Sequence, residues 1–505
     1  MKKLLVLLLI MTFLVFSGTG LAAEKGGGEL TVGLEADPPM LDPHLSTAKV
    51  DRQVFQSLYD TLVEVDKNMN LVPGLAKDWT IENEGTRYVF ELREDVKFHD
   101  GTKFNAQAVK FNFERMRDDE LGSPRKSELS LIENIEVVSD YKIAVELSKP
   151  FTPFLASLAD RAGMMVSPTA VKELGEDFAN QPVGTGPFQF VAREVQDKIE
   201  LEKFDDYWKE GLPYLEKVTY KPYPDGNVRI VNLTDGDLDM IGEVPPKDLR
   251  KLESDPSIEV SMVSGLGFQG IWVNKGQMPL KDNKLAQALN KSIDKEAVVK
   301  VVFGEAAIPA DSPFPPGTSM HNKEREISKV DPVGAKKLLN EADKPDGYKL
   351  KMMVAPNPTA KQTAQLIQSM ASNVGIDIEL ELLEFGTLLD RLTAGNYQAA
   401  LLGWSGRLDP DGNTYRFFHS EGGLNDSNYY NEKVDEILDK TRRVTDPDKR
   451  KELFQDLMTH LDRDLPYMFV YHPREIKAFK DKVKGFTPYA DGLLRLEEVW
   501  IEKED

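Results

Sequence analysis

The stretch from Leu401 to Tyr415, LLGWSGRLDPDGNTY, gathers side chains able to do chemistry: a serine between glycines, an arginine, two aspartates and a tryptophan. Three chemistries are open to it. Gly403, Trp404, Ser405, Gly406 and Arg407 come close to the G-x-S-x-G turn that exposes a nucleophilic serine, but Arg407 stands where that frame requires glycine. Asp409, Asp411 and Asn413 alternate as calcium ligands do. A calcium loop, however, needs an acidic ligand where Arg407 stands and a glycine at its sixth place, and no glutamate falls at the twelfth in either register. DPDG reads as a proline-initiated turn. The third chemistry is recognition by the wall of a binding cleft.

Elsewhere the chemistry is sparse. The six histidines are scattered without an H-E-x-x-H pattern, and His99 beside Asp100 reads as a hairpin residue. Gly184-Thr185-Gly186-Pro187 lacks the lysine of a phosphate loop and reads as a backbone turn. The chain has no cysteine, which excludes disulfides, thiolate catalysis and a lipid anchor on cysteine. No catalytic residue, metal or cofactor is expected. A formal charge of -21 disfavours nucleic acid and anionic membranes, so any anion site must be built from local cations.

A chain of 505 residues, 41% hydrophobic and 29% charged, is globular and too long for one ordinary domain. Lys2 and Lys3, the apolar run LLVLLLIMTFLVF and the small residues SGTGLAA have the order of a secretory signal peptide, with cleavage after Ala23 or Ala22. The run is short for a bilayer span. The mature protein is therefore expected in the periplasm or outside the cell, released and not lipid-tethered.

ELTVGLEA then alternates as a strand, ADPPMLDPHLST is an extended loop, and VFQSLYDTLVEV has helical spacing. A β-rich unit follows, with strands YVFEL and VKF, a turn at Asp100-Gly101, a helix from near Asn105 and a hairpin turning at Ser139-Asp140. From about Gly270 the elements lengthen. LAQALNKSIDKEAVVKVVF, TAKQTAQLIQSMASNVGI, FGTLLDRLTAGN, NEKVDEILDKTRRV and KRKELFQDLMTHLDRDL read as helices; GIWVNKG, KLKMMVAP, IDIELELLEF and YMFVYH hold strands. This alternation predicts an α/β lobe with crossover connections.

Several segments in order carry a resemblance: LDPHLST, LAKDWTIENEGTRYVFELREDVKFHDGTKFNAQAVKF, VGTGPF, WVNKG with ALNKSIDKEAV, and YYNEKVDEIL. With them the mature chain resembles the solute-binding proteins of dipeptide, oligopeptide and nickel ABC importers (bacterial extracellular solute-binding protein family 5). The resemblance implies a mixed α/β (α+β) fold: a two-lobed periplasmic-binding-protein clamshell, class II-like, with an extra subdomain inserted in lobe I. It places a signal peptide at 1–23, lobe I at 24–45, 181–269 and 479–505, the insertion at 46–180, and lobe II at 270–478. Crossings between the lobes are expected near 270 and 478. The implied function is capture of a peptide or other small carboxylate-bearing solute by lobe closure, and delivery to membrane permease subunits with their ATPases. A monomer without enzymatic activity is expected. The alternatives are a secreted hydrolase, or a chaperone or sensor without transport, on the same scaffold.

The resemblance also implies a site. In peptide-binding relatives the G-W-x strand lies in the cleft and pairs its backbone with the ligand; Gly403, Trp404 and Ser405 match it. The aspartate that takes the ligand's ammonium three residues later is replaced here by Arg407, whose planar fork suits a carboxylate instead. Arg161, seven residues before Pro168, matches an arginine that contacts ligand carboxylates in nickel-chelate relatives; a surface pairing with Asp160 is the other reading. Tyr489 matches a cleft tyrosine, with core packing as its alternative, and Ser46 and Thr47 match the ligand-facing N-terminal loop. Asp409 or Asp411 are candidates to reach an ammonium, and Trp79 and Trp272 are taken as core.

Overall fold

A computed structural model describes residues 27–503. The expected signal peptide and its cleavage site lie outside the described residues. Among those described, no helix is long and apolar enough to cross a membrane.

The N-terminal half builds two cores. In the first, Glu29–Leu34 pairs in parallel with Lys217–Pro222 on one side and Met240–Ile241 on the other. Leu30, Val32 and Leu34 point into a core shared with Phe55, Tyr220, Leu494 and Val499. The second core belongs to a four-stranded antiparallel sheet, ordered Ala76–Glu82, Arg87–Leu92, Lys142–Leu147, Ile132–Ser139. Helix Ala106–Arg117 packs on it, started where the Asn105 side chain accepts the Ala108 N–H at 3.0 Å. Trp79 packs half-buried against this core.

The C-terminal half has the expected α/β character. Tyr348–Val354 lies parallel to both Ile376–Leu382 and Ala399–Leu401, while Gln269–Val273 adds antiparallel. Helices Pro358–Ser372, Phe385–Thr393, Glu432–Thr441 and Pro447–Asp464 form where their spacing predicts. Trp272 is buried among Phe417 and Tyr467.

Four local readings change. VFQSLYDTLVEV is helical only over Asp51–Leu58; Tyr59 turns extended, and Val63–Val65 becomes a strand. The break has a partner: the VGTGPF turn docks on it, with the Gly186 N–H donating to the Leu58 carbonyl at 3.0 Å. A Cβ at Gly184 would stand 2.1 Å from that carbonyl oxygen, so only glycine lets the turn come so close. The VKF segment forms a single bridge, Lys97 with Lys103. LAQALNKSIDKEAVVKVVF is two helices, Asn283–Ser292 and Lys295–Val302, because Asp294 caps the second by accepting the Ala297 N–H at 2.9 Å. YMFVYH is only the beginning of a 14-residue strand, Tyr467–Lys480.

That long strand joins the halves into one sheet. Its first part pairs with Gln269–Val273 and Ala307–Pro309, and from Arg474 onward it pairs with Ile258–Ser264 and Met240–Ile241. The partners change between Pro473 and Arg474, opposite the hop from Ser264 to Gln269 in the other crossing segment.

Candidate functional site

Strand Ala399–Leu401 ends at the carboxyl edge of its parallel neighbours, where open α/β sheets leave a crevice for ligands. The chain beyond it is held on one side. Trp404 exchanges both backbone hydrogen bonds with Phe268, at 2.8 and 3.0 Å. Alternation along an extended segment turns the amides and carbonyls of Gly403 and Ser405 the other way, where no backbone group among the described residues meets them. Gly406 then reverses the chain at φ +84°, pressed so closely on Leu266 that a Cβ would lie 2.2 Å from its carbonyl carbon. Asn413 closes the loop: its Oδ1 accepts from Trp404 Nε1 at 3.1 Å and from the Arg407 N–H at 2.9 Å.

Asp409 and Asp411 are not free to take an ammonium. Asp409 accepts two bonds from Arg450, at 2.7 and 2.6 Å, and Asp411 two from Arg442, at 2.6 and 2.9 Å. The alternating aspartates clamp the loop to the helices behind it, each by a bidentate fork.

Arg407 is left facing forward. Its guanidinium lies 4.2 Å from the Trp404 ring centroid, and its Nη1 donates to the Gly406 carbonyl at 2.7 Å and to Ser405 Oγ at 3.3 Å. Among the described residues it forms no ion pair. Trp404 is half-buried, backed by Phe417 at 5.1 Å, so its indole supports the arginine from behind.

Arg161 comes from the N-terminal half and is 5% exposed. Its Nη1 donates to the Ser46 carbonyl at 3.1 Å, while its Nε is buried without a hydrogen-bond partner among the described residues. The neighbouring Asp160 is already held by Arg52, through Nε at 3.1 Å and Nη2 at 3.0 Å, and also accepts the Arg161 backbone N–H at 2.8 Å. Arg161 Nε stays 3.9 Å from that carboxylate. Burial pulls Asp160 upward, but Arg52, Arg161 and the backbone bond outweigh it and bring its pKa to about 2. Burial is the main reason both free arginines fall to about 10; Arg52 pushes Arg407 further down, and Asp160 partly restores each. Three guanidiniums thus share one carboxylate in a poorly hydrated place. The nearby Asp491 is bound to Arg495, at 3.1 and 2.8 Å, and Glu128 to Arg125 at 2.6 Å. The local balance calls for an anion.

Beside these groups lies about 410 Å3 of empty space, part of it open to solvent; Arg161 is buried and does not line it. It is lined by Arg52, Asp160, Ser405, Arg407 and Asp491, with Val65, Met69, Leu266 and Leu408 as its apolar walls. A second space of about 540 Å3 adjoins it across Val65 and Ala159. Tyr489 lines this second space, its ring covered by Arg495 at 4.0 Å. Ser46 lines neither: it is fully buried, its hydroxyl bonded to Asp51, and it serves Arg161 through its carbonyl. Thr47 is exposed and lines neither space. Sequence reasoning missed Arg52, which with Gln56 is one of the two partly exposed residues of the otherwise buried helix Asp51–Leu58. It weighed Asp160 only as a partner for Arg161. A lone arginine in an amphipathic helix carries no local sign that it will meet an aspartate over a hundred positions away.

Two lobes on a shared sheet, closing over a small cavity lined from both halves of the chain, define a solute-binding protein of the clamshell class. Residues 70–425 match the family model described as "Bacterial extracellular solute-binding proteins, family 5 Middle". The chain belongs to this family, and is a substrate-binding protein of an ABC importer rather than a member of an enzyme family. It is 30% identical over 469 residues to the glutathione-binding protein GsiB of Pectobacterium atrosepticum, covering 91% of each chain. Among solved structures it is similar to the periplasmic binding protein DppA of Helicobacter pylori in complex with the peptide STSA, with a TM-score of 0.80 and 29% identity over 95% of this chain and 99% of that one. A dipeptide-binding protein from Pseudoalteromonas in complex with Met-Leu gives a TM-score of 0.80 and 26% identity, over 94% of this chain and all of that one.

Proposed function

We propose that the protein captures a small anionic peptide of glutathione type, with a ligand carboxylate held between Arg161 and Arg407. One observation carries this reading: Arg52 and Arg407, from opposite halves of the chain, line one cavity, Arg161 lies buried beside it with its Nε unpartnered among the described residues, and the Asp160 carboxylate among them is already held by Arg52. A carboxylate would meet forked donors on both sides, and the free backbone edge at Gly403 and Ser405 would pair with the peptide. The relatives that bind glutathione and short peptides support the same class of solute. The Arg407 substitution sets the polarity: the loop that offers an ammonium acceptor in other peptide binders offers a cation here.

In this reading 24–45, 181–269 and 479–505 form lobe I, 46–180 its insertion and 270–478 lobe II. They rotate about the paired crossings at Ser264–Gln269 and Pro473–Arg474. The leader at 1–23 is removed on export, and the mature protein works as a monomer beside its permease without transforming its solute. Titration calorimetry against glutathione, neutral dipeptides and cationic dipeptides tests the ligand class. Tight binding of cationic peptides with none of glutathione would overturn it. Mass spectrometry of the recovered ligand should return it intact.

A further inference from the structure

Away from the cavity, the inserted subdomain touches the C-terminal half at a second place. Segment 149–152, KPFT, leaves strand Lys142–Leu147 and reaches the turn that joins helices Glu432–Thr441 and Pro447–Asp464. The Thr152 N–H donates to the Arg442 carbonyl at 2.8 Å, and the Thr152 hydroxyl donates to the Val444 carbonyl at 3.1 Å. Phe151 lies 5.5 Å from the Arg442 guanidinium, and its own carbonyl is tied to the subdomain by the Tyr88 hydroxyl at 3.1 Å.

The same arginine holds the 403–413 loop from behind with its side chain. Its fork holds Asp411, and its guanidinium carbon sits 3.1 Å from the Tyr415 ring centroid. Asp411 lies within the helical turn Pro410–Asn413, and Asn413 fixes both Trp404 and Arg407. One residue therefore meets the ligand-facing loop with its side chain and the opposing subdomain with its backbone.

We infer that Arg442 is a positioning residue for capture, coupling the 403–413 loop to the closed contact with Thr152. The inference rests on lobe closure but not on which solute is held. Both halves of the contact are specific. The carbonyls of 442 and 444 meet Thr152 only if the turn keeps its shape, and Asp411 holds that turn against the loop. When the cleft opens the two Thr152 bonds part, while the Asp411 clamp, lying wholly within the C-terminal half, stays made.

The absence of native cysteine gives a clean test in the full-length mature protein without ligand. With copper–phenanthroline supplied as the oxidant, a Thr152→Cys, Val444→Cys pair forms its disulfide when the cleft transiently closes, so the rate of disulfide formation reads the closed population. Adding Arg442→Gln should slow that rate about tenfold, the effect of losing a charged fork that orders the turn. Arg442→Lys should fall between, and the melting temperature of the reduced protein should change little. Because Arg442→Gln leaves Asp411 buried and unpaired, the same rate is measured with Asp411→Asn added, which removes both charges and should remain slow. Parental rates in both backgrounds would overturn the coupling. A parent pair that never oxidises would overturn the closed contact itself.

Discussion

Arg407 has an indole behind it, its own loop's oxygens beside it and no carboxylate of its own. Losing a charged fork inside a closed cleft costs on the order of 2–4 kcal/mol, or roughly 30- to 1000-fold in affinity. Arg407→Ala and Arg161→Ala should each weaken glutathione binding by that amount in calorimetry. Arg407→Lys should lose much of it as well, because a point charge cannot make two parallel bonds. Converting the ligand's glycyl carboxylate to an amide should hurt the parent protein far more than Arg407→Ala, since both changes remove one contact. If the two losses simply add, Arg407 does not touch that carboxylate.

At the scale of elements, the LDPH loop shows how the site is braced. His44 is fully buried; its Nε2 donates to the Met164 carbonyl at 3.1 Å and its Nδ1 accepts from Arg115 at 2.8 Å. Both ring nitrogens are engaged by a neutral imidazole, and burial, with help from Arg115 and Arg125, holds the pKa down at about 4 although Asp42 works the other way. Between pH 6.5 and 4 the unfolded chain therefore binds a proton that the folded one refuses. Stability from this residue is full above pH 6.5 and falls as the pH drops toward 4, by up to about 3 kcal/mol. Asp51, raised to about 6 mainly by its burial, acts oppositely across part of the same window. Denaturant titrations at pH 7 and 4.5 should thus be compared with His44→Gln, whose acid loss should be smaller by about 2–3 kcal/mol. Equal losses would mean that His44 is not the responsible group. The VGTGPF turn makes a second prediction at this scale. Gly184→Ala should cost about 3 kcal/mol, the upper end of overpacking, read as a lowered denaturation midpoint, because its methyl group meets the Leu58 carbonyl, a backbone atom that cannot swing aside.

Most elements were legible because their signals are local. Asn105 marks the start of its helix, and period and length reveal the strands and helices after Gly270. What escaped was decided at a distance. Pro473 hid the second half of the long strand, since proline reads as a strand's end; here its carbonyl still accepts from Gly265 at 3.0 Å and the ladder continues. Asp409 and Asp411 looked available because nothing nearby in sequence announces Arg450 and Arg442. Arg407 and Arg161 could be singled out by matching motifs, but their shared carboxylate and its prior bond to Arg52 are products of folding.

For the whole molecule, closure is the motion to be measured. A cavity lined from both halves must open for a solute to enter, so small-angle scattering should give a smaller radius of gyration with glutathione than without it. An unchanged radius alongside demonstrated binding would argue for a rigid pocket. The crossing itself is packed: Ile258, Ile476 and Ala478 share a core with Val299 and Phe303 from the C-terminal half. On the proposed reading the rotation falls on the few backbone positions between Ser264 and Gln269 and at Pro473–Arg474, where the ladder partners change.

The strand Tyr467–Lys480 also sets when the protein can be finished. The strand at Glu29–Leu34 lies far ahead of its partners in the chain: its sheet neighbour Met240–Ile241 is completed by Met240↔Phe479, and its core closes with Leu494 and Val499. Gln53 waits likewise for the backbone of Gly492 and Leu494, at 3.1 and 3.0 Å. Contacts so far apart along the chain pay their loop-closure entropy late and form slowly. A chain that lacks these late partners lacks the residues that complete this core. A version ending at Pro466 should accordingly fail to fold its N-terminal sheet, giving no cooperative melt from that half. The long strand that joins the halves also makes the N-terminal core depend on residues beyond Pro473.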